Sequence, residues 1–104
     1  MTDAFDERRR GFEAKWAHDA DLKFRIEARR NRALGLWAAD AKGLSGDAAE
    51  DFVLGVIAAD FQEAGDEDVF RKLRAELDAG RFPDAAIRAR MDEELAAAVK
   101  ALTA

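Results

Sequence analysis

The side chains that could serve as nucleophiles or general bases are few in this chain of 104 residues. It has no Cys and no Tyr, and His18 and Ser45 are its single histidine and single serine. A Ser–His–acid hydrolase presents its serine on a sharp strand-to-helix turn, and no motif of that kind surrounds Ser45. Catalysis otherwise needs an activated nucleophile, a base or a metal cage. The sequence therefore predicts a protein that is not an enzyme.

A run of three acidic side chains is the candidate for a metal site. Asp66, Glu67 and Asp68 follow Gly65 directly. A calcium loop needs further oxygen ligands at alternate positions and a closing Glu within about twelve residues, and both are missing here. Carboxylates at the start of a helix instead cap its free N–H groups and interact well with the positive end of its dipole. We expect Asp66 to be an N-cap and expect no metal site.

Arg29, Arg30 and Arg32 form a basic cluster around Asn31. Guanidinium groups bind phosphates and carboxylates through paired hydrogen bonds. The cluster is therefore a candidate site for a phosphate-bearing ligand or for an acidic partner surface. The alternative is a solvated helix face that shares its charge with Glu27. Nucleic acid is the weaker option, because the net charge is −5 and the isoelectric point is about 4.9.

Composition and hydrophobic spacing predict an all-α fold. Ala is abundant, β-branched residues are few, only one Pro occurs, and no segment alternates as a strand would. The short connections between the predicted helices imply antiparallel neighbours, so we expect a small antiparallel four-helix bundle. The four predicted helices are about 4–40 with a stop at Gly43, Asp47 to Gly65, Asp66 to Gly80, and Pro83 onward.

Each predicted helix carries an apolar stripe at intervals of three and four residues. The second helix is expected to have the most hydrophobic face. The predicted core positions are Leu22, Ile26, Ala33 and Trp37 with Leu34 and Leu36 beside them; Phe52, Val53, Val56, Ile57 and Phe61; Val69, Phe70, Leu73 and Leu77; and Ile87, Met91, Leu95, Ala98 and Leu102.

The N-terminal segment carries a thin aromatic stripe on a strongly charged background. Phe5, Phe12 and Trp16 are separated by seven and four residues, which places the three rings on one helix face. Such a helix is better suited to a groove on another protein than to its own core. Two alternatives stay open. The stripe could continue through Ala20 and Phe24 onto its own bundle, or the helix could lie on a membrane surface, which its acidic residues disfavour.

These patterns divide the chain into an arm at residues 1–18, mobile or partly helical, and a body at residues 19–104. Residues 1–40 hold nine Lys/Arg against eight Asp/Glu, whereas residues 41–104 hold eight against fourteen. The absence of Cys fits a reducing compartment. No apolar run is long enough to span a membrane, and the N-terminus lacks the apolar region of a secretory signal. We expect a cytoplasmic protein.

Six parts of the sequence form a distinctive set, namely EAKWAHD at 13–19, Phe24, EARRNR at 27–32, LGLWAA at 34–39, Asp60 and GDEDVFRK at 65–72. Together they resemble the α-proteobacterial F-type ATPase inhibitor zeta subunit family, which was formerly a domain-of-unknown-function family. Trp16 stands where the family is expected to have Phe, and the Arg8-Arg9-Arg10-Gly11 run is less regular than the family's arm. The resemblance covers nearly the whole chain.

The resemblance implies a four-helix bundle whose mobile N-terminal segment inserts at a catalytic interface of the F-type ATPase head, next to the rotor. There it would block ATP hydrolysis. The implied partners are the alpha, beta and gamma subunits of that head, with no nucleic acid and no membrane insertion. The implied partner-binding residues are Phe5, Phe12 and Trp16 as apolar anchors and Arg8, Arg9, Arg10 and Lys15 as charge contacts.

The resemblance further implies a protein that is monomeric when free and lies on the cytoplasmic side of the membrane-bound ATP synthase. It implies no cofactor beyond weak adenine-nucleotide binding, for which Arg29, Arg30 and Arg32 are the candidate residues. Two alternative functions remain at this stage. One is a helical module that binds nucleotide through these arginines, and the other is a helical adaptor with no ATPase partner and no inhibitory role.

Overall fold

Four α-helices account for most of the residues that the computed structural model describes, which are 19–59 and 66–103. They are α1 (Ala20–Ala41), α2 (Gly46–Ala59), α3 (Glu67–Glu76) and α4 (Asp84–Thr103). Helix α1 packs along both α2 and α4, and α3 packs against α2 and α4. The predicted all-α four-helix bundle is confirmed. The predictions for residues 1–18, and for Phe61 and Gly65 of the second predicted helix, lie outside the described residues.

Helix α1 begins at a side-chain cap. Asp19 has an extended backbone, with φ −102° and ψ 102°, and its carboxylate accepts a hydrogen bond from the N–H of Leu22 at 3.0 Å. A carboxylate in this position satisfies one of the free N–H groups of the first turn. The helix predicted over about 4–40 is therefore not continuous, because the extended backbone of Asp19 makes Ala20 the first residue of α1. The part of that prediction before Asp19 lies outside the described residues.

The other end of α1 is a glycine stop, as predicted. Gly43 has a positive φ of 73°, a conformation that favours glycine because it has no Cβ. The N–H of Gly43 donates to the carbonyl of Asp40 at 3.0 Å, and that of Leu44 donates to the carbonyl of Ala39 at 2.9 Å. This pair of bonds is the Schellman motif, which satisfies the last carbonyls of the helix.

Helix α3 ends earlier than the predicted stop at Gly80. Its cap, Leu77, is extended at φ −106° and ψ 144° and turns its side chain into the core. Arg74 explains the early end, because its guanidinium donates to the carbonyl of Leu77 at 2.9 Å and to that of Phe82 at 2.8 Å. It also bonds the carboxylate of Asp84 at 2.8 Å. One arginine thus fixes the loop between α3 and α4.

The core consists of two clusters that together run the length of the bundle. Val69, Phe70 and Leu73 of α3 and Leu77 directly after it are buried as predicted, but Leu36 on α1 is 46% exposed. The larger cluster contains Leu34, Ala38, Val56, Val69, Phe70, Leu73, Leu77, Ile87 and Met91, and the smaller contains Ile26, Ala98 and Val99 with Leu22, Leu95 and Leu102 packed against it.

Helices α1 and α2 approach each other closely at Gly35. A Cβ atom added to Gly35 would lie 3.0 Å from the Cα of Val53 and 3.2 Å from one of its methyl carbons. The first of these is a backbone atom, so it could move away only if the whole of α2 moved. Glycine at this position is therefore a packing requirement of the bundle.

We predict that Gly35→Ala lowers the free energy of unfolding by about 1–3 kcal/mol, because overpacking at a backbone contact forces the two helices apart. Gly55→Ala is the matched control, since its added Cβ would meet only Lys72, at 3.7 Å. That variant should be neutral or stabilised by up to about 1 kcal/mol through helix propensity. Urea unfolding measures both, and equal stability of the two variants would show that the α1–α2 contact is not tight.

Candidate functional site

The structure separates the three arginines of the predicted basic cluster. Arg30 is only 1% exposed, whereas Arg29 is exposed and Arg32 bonds Glu50 of α2 at 3.2 Å. Successive residues of a helix are rotated by about 100°, so positions 29, 30 and 32 cannot share one face. The three side chains do not converge on one pocket. Adenine-nucleotide binding through them stays a prediction, without support from their geometry.

Arg30 is a charged residue inside the core. Its Nε donates to Oδ1 of Asn31 at 3.0 Å, and one terminal nitrogen donates to Oδ1 of Asp66 at 2.6 Å. Asn31 is also buried, with 1% exposure. A spacing signal was present in the sequence, because Arg30 lies four residues after Ile26 and four before Leu34. Grouping it by charge with its neighbours concealed that it lies on the buried face.

Asp66 is the N-cap residue of α3, as predicted, but its side chain makes no capping hydrogen bond. The carboxylate is used by Arg30 instead, across 36 positions of the chain. Half of the Asp66 side chain is exposed while the arginine is fully covered. The start of α3 is therefore fastened to the middle of α1 by an ion pair.

A pocket of about 300 Å³ lies beside this ion pair, between the start of α3 and the middle of α4. Arg88 bonds both carboxylate oxygens of Glu67, at 2.8 and 3.2 Å, and its guanidinium lies 3.8 Å from the centroid of the Phe70 ring. The hydrogen bond from Arg88 lowers the pKa of Glu67, and the same bond raises the pKa of Arg88. The pocket walls as described thus carry two ion pairs, Arg30–Asp66 and Arg88–Glu67. They include Arg30, Asp66, Glu67, Arg88, Met91 and Leu95.

Cations also cover the aromatic ring at the junction of α1, α2 and α3. The ammonium groups of Lys42 and Lys72 lie 5.1 and 5.8 Å from the centroid of the Phe52 ring, within the range of cation–π attraction. Glu76 accepts hydrogen bonds from both lysines. The bond from Lys42 lowers the pKa of this carboxyl group. These charges are therefore engaged in joining helices.

A second groove, of about 410 Å³, lies at the end of the bundle where α1 stops and α4 begins. Trp37 and Phe82 meet there edge to face, with ring centroids 5.4 Å apart. Arg90 and Arg81 lie over these rings at 5.1 and 5.0 Å. Trp37 and Phe82 pack against the larger core cluster. Among the described residues of the groove, no arrangement of catalytic groups is found.

Some of the remaining candidates from the sequence lie among the described residues, and others lie outside them. Ser45 is exposed in the loop before α2, where it was expected. Among residues 19–59 and 66–103, no three His, Cys, Asp or Glu side chains are placed to hold a metal ion. None of the described helices is both long and apolar enough to cross a membrane. Outside the described residues lie His18 and the arm residues Phe5, Arg8, Arg9, Arg10, Phe12, Lys15 and Trp16.

Comparison with protein families gives a match over nearly the whole length of the sequence. A family model described as ATPase inhibitor subunit zeta matches residues 1–101. The match covers nearly the whole chain and includes both the arm and the body. No curated protein matches the sequence.

We predict that Asp66→Ala lowers the free energy of unfolding by about 1–3 kcal/mol, because it removes a charged partner from the buried Arg30. The loss cannot come from capping, since Asp66 makes no capping bond. Glu50→Ala is the matched control, because it removes the carboxylate from the half-exposed Arg32. It should cost less than about 1 kcal/mol. Equal losses in urea unfolding would mean that the buried pair adds nothing beyond a surface pair.

Proposed function

Because the chain belongs to the ATPase inhibitor subunit zeta family, we propose that it inhibits ATP hydrolysis by the catalytic head of the F-type ATP synthase. The observation that carries this proposal is the family match, which begins at residue 1 and therefore takes in the arm. The described body is consistent with a regulatory role, because its charged side chains join helices and line no reactive centre.

In the proposed mechanism the arm inserts at a catalytic interface of the head, next to the rotor. Phe5, Phe12 and Trp16 form one apolar line if the arm is helical, as in other helices that bind in grooves. The basic side chains, Arg8 to Arg10 and Lys15, then contact carboxylates of the alpha, beta and gamma subunits. A helix wedged in that interface prevents the subunit movements that hydrolysis requires.

The arm alone is a limited source of binding energy. Fixing a flexible segment costs conformational entropy at every residue that is ordered. Burial of apolar surface compensates mainly at the aromatic positions. Charge contacts and contacts made by the body must therefore contribute to binding. In this proposal the protein acts on the cytoplasmic side of the membrane-bound synthase and is a monomer when free.

We predict that Phe12→Ala or Trp16→Ala weakens inhibition by about 10- to 30-fold, as expected when a buried aromatic anchor is truncated. Arg9→Ala is the comparison, and it should have a smaller effect because an exposed charge contact contributes less. The measurement is the concentration of each variant that halves ATP hydrolysis by the cognate ATPase head. Near-wild-type inhibition by both aromatic variants would refute their role as anchors.

We also predict that deleting residues 1–15 abolishes inhibition but leaves a folded helical body. The physical reason is that both core clusters of the described body are formed by residues from Leu22 to Leu102. Circular dichroism should show a cooperative thermal transition close to that of the full chain. If the truncated chain has lost that transition, the aromatic stripe is part of the core and the arm is not free to bind a partner.

A further inference from the structure

The outer face of α1 carries a row of exposed arginines that ends in an exposed leucine. Arg25, Arg29, Arg32 and Leu36 follow one another at intervals of four, three and four residues. At about 100° per residue these four positions fall within an arc of roughly 60°. The side chains of Arg25 and Arg32 are 59% and 50% exposed, and Leu36 is 46% exposed. We call this row the arginine ridge.

The ridge differs from the basic cluster suggested by the sequence. Arg30 does not belong to it, because its guanidinium is buried against Asp66. Arg25 and Leu36 do belong to it, although they lie outside the run of neighbouring arginines. Leu34 points into the core from the opposite side of the same helix. Helix α1 therefore has one face committed to the bundle and one face open to a partner.

The charges of the ridge are weakly engaged within the protein. Arg25 lies 4.0 Å from Asp21, whose side chain is 82% exposed. Arg32 pairs with Glu50 at 3.2 Å, and both side chains are about half exposed. Arg29 makes no hydrogen bond or ion pair with the described residues. Exposed pairs of this kind contribute little to stability, so carboxylates of a partner can replace them at little cost.

The charge of the ridge is also opposite in sign to the net charge of the chain. The protein has a net charge of −5, yet the three guanidinium groups of the ridge share one face. With Asp21 and Glu50, the acidic partners of Arg25 and Arg32, included, this face has three positive and two negative charges, so an acidic partner surface is still attracted to it. Charge complementarity of this kind fixes orientation and raises the rate of association. It therefore favours an acidic occupant.

Exposed leucines beside the ridge favour a protein as that occupant. Leu36 lies one helical turn after Arg32. Leu54, which is 53% exposed on α2, lies one turn after Glu50, the ion-pair partner of Arg32. Apolar side chains among arginines are typical of protein interfaces. A nucleic-acid surface would instead be expected to offer cations to successive phosphates.

We propose that the arginine ridge is a second docking surface, which binds an acidic protein surface on the same ATPase head that the arm engages. This inference rests on the proposed function. Helix α1 follows the arm directly, so the ridge starts about 9 Å and ends about 26 Å from Asp19 along the helix axis. Once the arm is bound, docking of the ridge is intramolecular, and the two contacts reinforce each other through a high effective concentration.

The test compares the double variant Arg25→Gln/Arg29→Gln with the control Lys23→Gln/Lys100→Gln in the full chain. Both variants lose two positive charges, and Lys23 and Lys100 are exposed positions outside the ridge. The measurements are half-inhibitory concentration, direct affinity for the cognate ATPase head and its dependence on salt. We expect the ridge variant to bind about 5- to 20-fold more weakly, with a smaller salt dependence. Maximal inhibition at saturation should be retained, and the control should resemble the wild type.

The outcomes separate this inference from the proposed function. If the wild type inhibits and the two variants are equally potent, the ridge is not a docking surface, but the inhibitor role stands. If the wild type neither binds nor inhibits the ATPase head, both proposals fail. Binding to phosphatidylserine vesicles that the ridge variant loses, with unchanged affinity for the ATPase head, would make a lipid surface the occupant and overturn the proposal. Circular dichroism verifies that both variants are folded.

Discussion

The buried guanidinium of Arg30 is the constraint on which the arrangement of the helices depends. A charge removed from water is tolerated only when it is paired and hydrogen-bonded. Asn31 on the same helix and Asp66 at the start of α3 supply those bonds. Because Asp66 is the N-cap of α3, the ion pair sets where that helix begins relative to α1. Apolar packing alone would tolerate small shifts along the helix axes, whereas this pair does not.

Helix α1 packs into the bundle on one face and exposes the arginine ridge on the other. Gly35 lets α2 approach on one side, and the apolar positions from Ile26 to Ala38 contact the rest of the bundle. The opposite face carries the arginine ridge. Since α1 is held by contacts with all three other helices, the ridge is presented on a rigid element. Asp19 caps the N-terminal end of α1, directly after the arm proposed at residues 1–18.

Several charged side chains of the described body have structural roles. Arg74 fixes the loop between α3 and α4, and Arg88 bonds Glu67 while covering Phe70. Lys42 and Lys72 cover Phe52 and bond Glu76. These contacts hold the helices and loops of the described body together. The match to an ATPase inhibitor family agrees with a regulatory protein.

The sequence by itself determined the helices, the stop at Gly43, the start near Pro83 and the apolar stripes, because capping and helical period are properties of neighbouring residues. Only the tertiary structure decided that α3 ends at Glu76 and that Leu36 is exposed. It also decided which of Arg29, Arg30 and Arg32 is buried. Arg30 is buried because Asp66, 36 positions away, meets it in space, whereas Arg29 and Arg32 remain outside. Such long-range pairings depend on how helices pack, and no local pattern encodes them.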